Sequence, residues 1–209
     1  MKKANCVTLL CAFGAVTGLQ AQTVVGDFEG GDLAGWEGIN GGAISASTIG
    51  ATSGTGSMAV TPPATGFTWG FQYNNPTPAV LSLDVTWVAS EWTGLAWLNL
   101  ELVAMNSGGP SGWTQISATD PASPSYPGSW DPANWGDNTR TLTWDFSSYD
   151  MTGSGWSQFQ FAVNLDGNYT GPMGNYYIDN VKLSPVPEPS SLALLGLTGA
   201  FLAIRRRVR

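Results

Sequence analysis

Amide and tryptophan side chains recur at alternate positions in two segments of this chain, where they alternate mostly with apolar residues. The residues are Trp97, Asn99 and Glu101 in the first segment, and Trp156, Gln158, Gln160 and Asn164 in the second. Sugars are held by hydrogen bonds to their hydroxyl groups and by an apolar plate against the pyranose ring, which amides and tryptophans supply. We therefore predict a carbohydrate-binding surface, provided that both segments lie in one sheet. Ordinary polar decoration of a solvent-facing sheet is the alternative.

Residue types needed for several kinds of catalysis are missing. The chain has no histidine, which excludes Ser-His-Asp and Cys-His catalysis and any imidazole metal site. Both cysteines, Cys6 and Cys11, lie in a segment that we predict to be removed. Glycoside hydrolysis needs two carboxylates across a cleft, but a chain with 15 acidic residues contains many pairs by chance. We predict a protein that is not an enzyme, with a secreted glycan-active enzyme as an alternative.

The N-terminal segment has the layout of a secretory signal peptide. Lys2 and Lys3 precede an uncharged, mostly apolar run over residues 7–19, and Ala21 is a small residue at a plausible cleavage position. Charge, a short apolar run and a small residue before the cut are typical of exported proteins. We therefore expect residues 1–21 to be an N-terminal signal helix that is removed on export.

The C-terminal segment ends in an uncharged run of 15 residues, 190–204, followed by Arg205, Arg206, Arg207 and Arg209. An apolar helix followed by arginines obeys the positive-inside rule, so we predict a short transmembrane helix. A buried C-terminal helix is the alternative. The sequence Pro187-Glu188-Pro189 precedes this run. In this order, the three parts resemble the PEP-CTERM sorting signal of Gram-negative bacteria. The resemblance implies that residues 186–209 are recognised by a membrane-embedded exosortase, with Pro187, Glu188 and Pro189 as substrate residues.

The charge between these two ends is strongly acidic. Residues 22–185 contain 14 acidic residues and only two basic ones, Arg140 and Lys182, which is a net charge of −12. Nucleic-acid binding needs a basic surface, and anionic lipid headgroups would be repelled in the same way. The ligand classes that remain are neutral ligands and ligands bound through a bridging cation.

Alternation with a period of two dominates the central region and predicts strands with one buried face. The clearest segments are residues 81–87, 98–102, 141–146 and 158–165, and weaker ones are 23–28, 43–49, 57–61, 66–73, 112–117 and 175–183. About ten strands joined by Gly, Pro, Asn and Ser turns predict an all-β domain, an antiparallel sandwich or barrel. Residues 106–138 form a long connection with three tryptophans, which we interpret as an ordered cover over one edge or end. We interpret residues 50–57 as a flexible turn.

Motifs at both ends of this region resemble galactose-binding-like jelly rolls, which include many carbohydrate-binding modules. The opening motif is residues 27–36, DFEGGDLAGW; residues 56–61, GSMAVT, fit a further element; and residues 176–183, YYIDNVKL, resemble the closing strand. The resemblance implies a β-jelly-roll domain over residues 22–185 in which the first and last strands lie together. It also implies a structural calcium ion near that junction.

The closing strand changes parity between Ile178 and Val181, which suggests a β-bulge at Asp179-Asn180. Calcium binds hard oxygen ligands, and Asp179 with Asp27 or Glu29 would supply them. The alternative is that Asp179 caps a turn and that Glu29 is solvated. We therefore expect an exported, non-enzymatic protein of the cell envelope or extracellular matrix that binds an extracellular polysaccharide. A purely structural matrix protein without a specific ligand is the alternative.

Overall fold

The computed structural model describes residues 22–62, 66–74, 79–93, 98–106, 113–125, 128–149, 157–165 and 174–185. This part of the chain forms twelve strands and two 3-10 turns, Glu29–Gly31 and Ala89–Glu91. The strands are β1 Thr23–Gly26, β2 Trp36–Gly38, β3 Ala43–Ser47, β4 Ser57–Thr61, β5 Gly66–Asn74, β6 Ala79–Trp87, β7 Leu98–Asn106, β8 Trp113–Ile116, β9 Ser129–Trp130, β10 Asn138–Asp145, β11 Ser157–Leu165 and β12 Tyr176–Pro185. The predicted all-β class is confirmed.

The strands form two six-stranded sheets in which every pairing is antiparallel. Sheet A has the order β10-β6-β12-β4-β3, with β1 also paired to β12. Sheet B has the order β2-β5-β11-β7-β8, with β9 also paired to β7. The predicted antiparallel sandwich is therefore confirmed, and the first and last strands of the domain do lie together.

The core lies between the two sheets, because the apolar parity of each strand points inward. The inward residues of β6, from Leu81 to Trp87, are at most 1% exposed, and those of β7 are buried to the same degree. Trp144 of β10 contacts Phe161 of β11 edge to face, with ring centroids 5.8 Å apart. This contact joins sheet A to sheet B.

The connection between β7 and β10 packs on the core where it is described. Trp130 of β9 stacks on Trp87 with ring centroids 5.3 Å apart, and the Trp87 indole N–H donates to the Gly136 carbonyl at 2.7 Å. Asp120 forms a buried ion pair with Arg140. The expectation of an ordered cover is confirmed for these residues.

Some predicted features lie outside the described residues. These are the signal segment, residues 1–21; the C-terminal segment, residues 186–209; and the tryptophans Trp97 and Trp156. Among the residues that are described, neither helical turn has the length and apolar content needed to cross a membrane.

Candidate functional site

The two strands predicted to carry the ligand residues, β7 and β11, are neighbours in sheet B. Their register sets Asn99 opposite Asn164, Glu101 opposite Ala162, Val103 opposite Gln160, and Met105 opposite Gln158. Directly opposed residues of an antiparallel pair lie on the same face. Five of the seven predicted positions therefore share one face, opposite to that of the core residues Leu98, Leu100 and Leu102. Val103 also lies on this face and is 0% exposed, so the face is covered at that position. We call it the amide face: Asn99, Glu101, Gln115 and the β11 positions 158, 160 and 164.

Asn99 lies within the sheet between β11 and β9. Its neighbours in the register are Asn164 on one side and Ser129 on the other. The Asn99 side-chain oxygen is buried and accepts no hydrogen bond from any described residue. A buried amide oxygen without a partner carries a desolvation cost that a ligand hydroxyl would remove.

Glu101 lies two residues further along β7 and is half-buried. Gln115 of β8 donates a hydrogen bond from Nε2 to Glu101 Oε2. Burial raises the pKa of the Glu101 carboxyl, and the hydrogen bond from Gln115 opposes that effect. The carboxylate is therefore held at the surface of the sheet without enough polar contacts to offset its partial desolvation.

Gln115 is a site residue that sequence reasoning missed. It stands opposite Val103 in the β7–β8 register, beside the predicted residues. The signal was present, because Gln115 lies two residues after Trp113 within a predicted strand. The sequence, however, does not show that this strand pairs with β7.

Asp179 is fully buried beside a break in the β6–β12 register between Asp179 and Lys182. Asn180 follows with a positive φ of 54°, so the predicted bulge is confirmed. Asp179 Oδ2 accepts hydrogen bonds from the backbone N–H groups of Thr52 at 2.6 Å and Ser53 at 2.8 Å. The carboxylate therefore fixes a loop that lies 127 residues earlier in the chain.

Glu29 holds the other end of the same loop. Its Oε1 accepts hydrogen bonds from the backbone N–H groups of Thr55 at 2.7 Å and Gly56 at 2.8 Å. The hydrogen bond from Gly56 and then those from Thr55 lower the pKa of Glu29. Gly54 has a φ of +72°, and a Cβ there would lie 2.7 Å from the Glu29 carboxyl carbon. Residues 52–56, which we call the clasped loop, are thus held at both ends, and the interpretation as a flexible turn was wrong.

Asp84 of β6 also contacts the clasped loop and was missed by sequence reasoning. It is directly opposite Asp179 in the register and is 8% exposed. Its carboxylate accepts hydrogen bonds from the hydroxyl of Thr52 at 2.6 Å, the hydroxyl of Thr141 at 2.6 Å and the amide of Asn180 at 3.0 Å. Strand parity had indicated only an outward polar residue at this position.

The three predicted calcium ligands lie along one stretch of structure but do not converge in the described geometry. Asp27 accepts a hydrogen bond from the Glu29 backbone N–H at 3.4 Å, whereas Glu29 and Asp179 bind opposite ends of the clasped loop. Within the described ranges, no three Asp, Glu, Cys or His side chains are grouped to hold a metal ion. The oxygens of Glu29 and Asp179 face N–H donors, where a cation would need oxygen ligands. Calcium binding stays a prediction.

Comparisons with known proteins match two separate parts of the chain. Residues 185–207 match the PEP-CTERM protein-sorting motif, which confirms the sorting resemblance. No match was found among curated protein sequences.

Solved structures match the β-domain. A carbohydrate-binding module studied for the promiscuous specificity of the β-sandwich superfamily has 16% identity and a TM-score of 0.50, and the match covers 77% of this chain and 62% of that structure's chain. The module CBM27-1 of Caldicellulosiruptor saccharolyticus, solved in complex with mannohexaose, has 14% identity and a TM-score of 0.50, with coverage of 80% and 99%. At these identities the likeness establishes the fold. The chain therefore carries a PEP-CTERM sorting motif and a β-sandwich similar in fold to carbohydrate-binding modules.

Proposed function

We propose that this protein is an exported, envelope-associated or matrix protein that binds a polysaccharide on its amide face without cleaving it. The observation that carries the proposal is the grouping of Asn99, Glu101 and Gln115 with three amide positions of β11 on one outward face. Amides both donate to and accept from sugar hydroxyls, and a carboxylate accepts from two of them. The buried, unpartnered oxygen of Asn99 supports a ligand, because it needs a donor.

The two predicted tryptophans directly precede, in the sequence, the strands that carry the amide face. Trp97 precedes the first residue of β7, and Trp156 precedes the first residue of β11. Leu98 pairs with Leu165, and Asn106 pairs with Ser157, so the two strands begin at opposite ends of the pair. Nine paired residues span about 27 Å, which suits a ligand several sugars long.

The absence of catalysis is also part of the proposal. Retaining and inverting glycosidases need two carboxyl groups about 5 to 9.5 Å apart across the bond that is cleaved. In the strands of sheet B, Glu101 has no acidic neighbour on β8, β9 or β11, and Glu37 lies on the edge strand β2. This distribution supports binding over hydrolysis.

We further propose that an exosortase-type enzyme recognises Pro187-Glu188-Pro189 and that residues 190–204 anchor the chain in the membrane until it is processed. The match of residues 185–207 to the sorting motif supports this step.

The resemblance in the opening and closing strands supports a jelly roll of the galactose-binding-like type. The alternation of successive long strands between the two sheets supports the same type. A structural calcium ion would belong to the same proposal.

Glycan-array binding of the purified full chain, with and without EDTA, tests the function. We expect retention on at least one polysaccharide and loss of most of that binding in Asn99→Ala. The matched control is Asn138→Ala, which removes an exposed amide from β10 of sheet A and should leave binding unchanged. Equal loss of binding in both variants would contradict the assignment to the amide face.

One observation favours the structural alternative. Trp36, Trp87, Trp92, Trp130 and Trp144 are all buried in the core and are therefore unable to stack on a sugar. If the full chain binds no glycan while remaining folded, the protein is a matrix component without a specific ligand.

A further inference from the structure

We propose that Glu101 makes the amide face selective for neutral polysaccharides over those built from uronic acids. The inference rests on the proposed glycan binding and names the class of ligand. Its basis is one half-buried carboxylate whose neighbours on the face are uncharged, because the other acid of this face, Glu37, lies three strands away on β2.

The negative charge of Glu101 has no counter-charge in its sheet. Strands β5, β7, β8, β9 and β11 contain no other acidic residue and no basic residue. The two basic residues of the domain belong to sheet A, where Arg140 is paired with Asp120 and Lys182 lies on β12. The raised pKa of Glu101 agrees with this, because a nearby cation would lower it. A uronate bound here would meet a carboxylate and no cation.

Two acceptors on β7 need hydrogen-bond donors from the ligand. The Asn99 side-chain oxygen and the Glu101 carboxylate are both acceptors, and residues two apart on one strand are separated by about 6.8 Å. The hydroxyls of a neutral sugar can donate to both groups. In a uronic acid an ionised carboxylate replaces one of these hydroxyl groups. This change removes a hydrogen-bond donor and adds a negative charge that the Glu101 carboxylate repels, so binding of the uronic acid is disfavoured.

Gln115 has a positioning role in this arrangement. Its amide N–H donates to one oxygen of Glu101 and so orients the carboxyl group on the sheet surface. Because the Gln115 amide is neutral, it does not cancel the negative charge of the Glu101 carboxylate. The selectivity therefore belongs to the charge of Glu101 and should disappear with an isosteric neutral residue.

The test compares matched hexasaccharides of mannose, glucose and galactose with the hexamers of the corresponding uronic acids. Dissociation constants are measured for the purified full chain at pH 7 in about 0.15 M salt, where charges more than about 8 Å away are largely screened. For each sugar that binds, we expect the uronic acid to bind more weakly by about tenfold or more. In Glu101→Gln we expect this ratio to fall to roughly threefold or less.

Glu37→Gln is the matched control. It removes an exposed carboxylate from the edge strand β2, on the same face but three strands from Glu101. It lowers the total negative charge equally, and at that distance the charge is largely screened, so the ratio should stay unchanged. Melting temperatures and circular dichroism verify that both variants are folded.

Three results would overturn the inference while the proposed function stands, and the first two concern the ratio itself. One is equal binding of a neutral hexamer and its uronic acid by the unmodified chain, and the other is a ratio that Glu101→Gln does not change. An equal fall of the ratio in both variants would assign the effect to total charge and would also overturn it. Failure to bind any hexamer overturns the inference, and a blank glycan array then removes the proposed function as well.

Discussion

A buried cation, Arg140, joins the connection between β7 and β10 to the core. Its side chain shares the inward parity of Leu142 and Trp144, and only 6% of it is exposed. The guanidinium donates to Asp120 at 2.8 Å and to the Ser129 carbonyl at 3.1 Å. A buried ion pair of this kind contributes little net stability, but either charge alone is costly.

Asp120→Asn should therefore destabilise the domain strongly, although the two side chains have nearly the same size. It leaves the Arg140 charge buried and without its carboxylate, a loss of about 3–5 kcal/mol in free energy of unfolding. For a domain of this size, that is a fall of roughly 10 °C in melting temperature. Denaturant unfolding measures the loss.

The double variant Asp120→Leu/Arg140→Met is the control for this effect, because it removes both charges together. It should be more stable than Asp120→Asn, since no unpaired charge remains. If Asp120→Asn unfolds within about 1 kcal/mol of the unmodified chain, the pair does not have this role.

At the scale of elements, the clasped loop is held in place by the carboxylates of three residues and not by pairing with a strand. Residues 52–56 lie on the outer side of sheet A and have no ladder of their own. Their backbone N–H groups donate instead to Glu29 and Asp179. Residues 52–55 are exposed and only Gly56 is buried, so these carboxylates fix the course of a surface loop by binding N–H groups that a sheet would otherwise pair.

Glu29→Gln should lower the melting temperature at pH 7 by an amount that shrinks under acid conditions. The pKa of Glu29 is lowered in the folded state, so its contribution to stability is present above its unfolded pKa. That contribution is lost as the pH falls through the folded pKa. Melts of both proteins from pH 7 to pH 2 measure the gap, with the exposed Glu37→Gln as the control. A gap that does not depend on pH would contradict the assignment.

Calcium binding is the second prediction at this scale. A metal that binds only the folded state stabilises it by about 2.7 kcal/mol at a hundredfold excess over Kd, which is several degrees in melting temperature. We expect millimolar calcium to raise the melting temperature above that in EDTA. Asp179→Asn should abolish most of this rise. If Asp179→Asn does not fold, Glu29→Gln is tested in its place. Equal melting temperatures in calcium and in EDTA would exclude the metal.

Most elements could be predicted from local alternation, but their partners could not. Alternation identified β6, β7, β10 and β11, and a parity change located the bulge in β12. Strands β2 and β9, with three and two residues, are too short to show a period. The same limit applies to the site, because Gln115 and Asp84 gain their roles only from strand pairing. The clasped loop depends on contacts with residues 26 to 127 positions away in the chain, which no local pattern encodes.

At the scale of the whole molecule, the sorting motif and the β-sandwich are adjacent but separate parts of the chain. The motif match begins at residue 185, the last residue of β12. If the motif is recognised as we propose, Glu188→Ala should leave export intact and retain the C-terminal segment. Mass spectrometry of the mature C terminus measures this, and an unchanged C terminus in the variant would contradict recognition of Glu188.

The position of β12 determines when the domain can finish folding. This strand lies between β6 and β4 at the centre of sheet A and also pairs with β1. It is the last of the described strands, so a growing polypeptide cannot close sheet A until residue 185 is available. Pairing across this sequence distance makes folding slow. If the chain is exported as we propose, sheet A stays incomplete until its final strand has been delivered across the membrane.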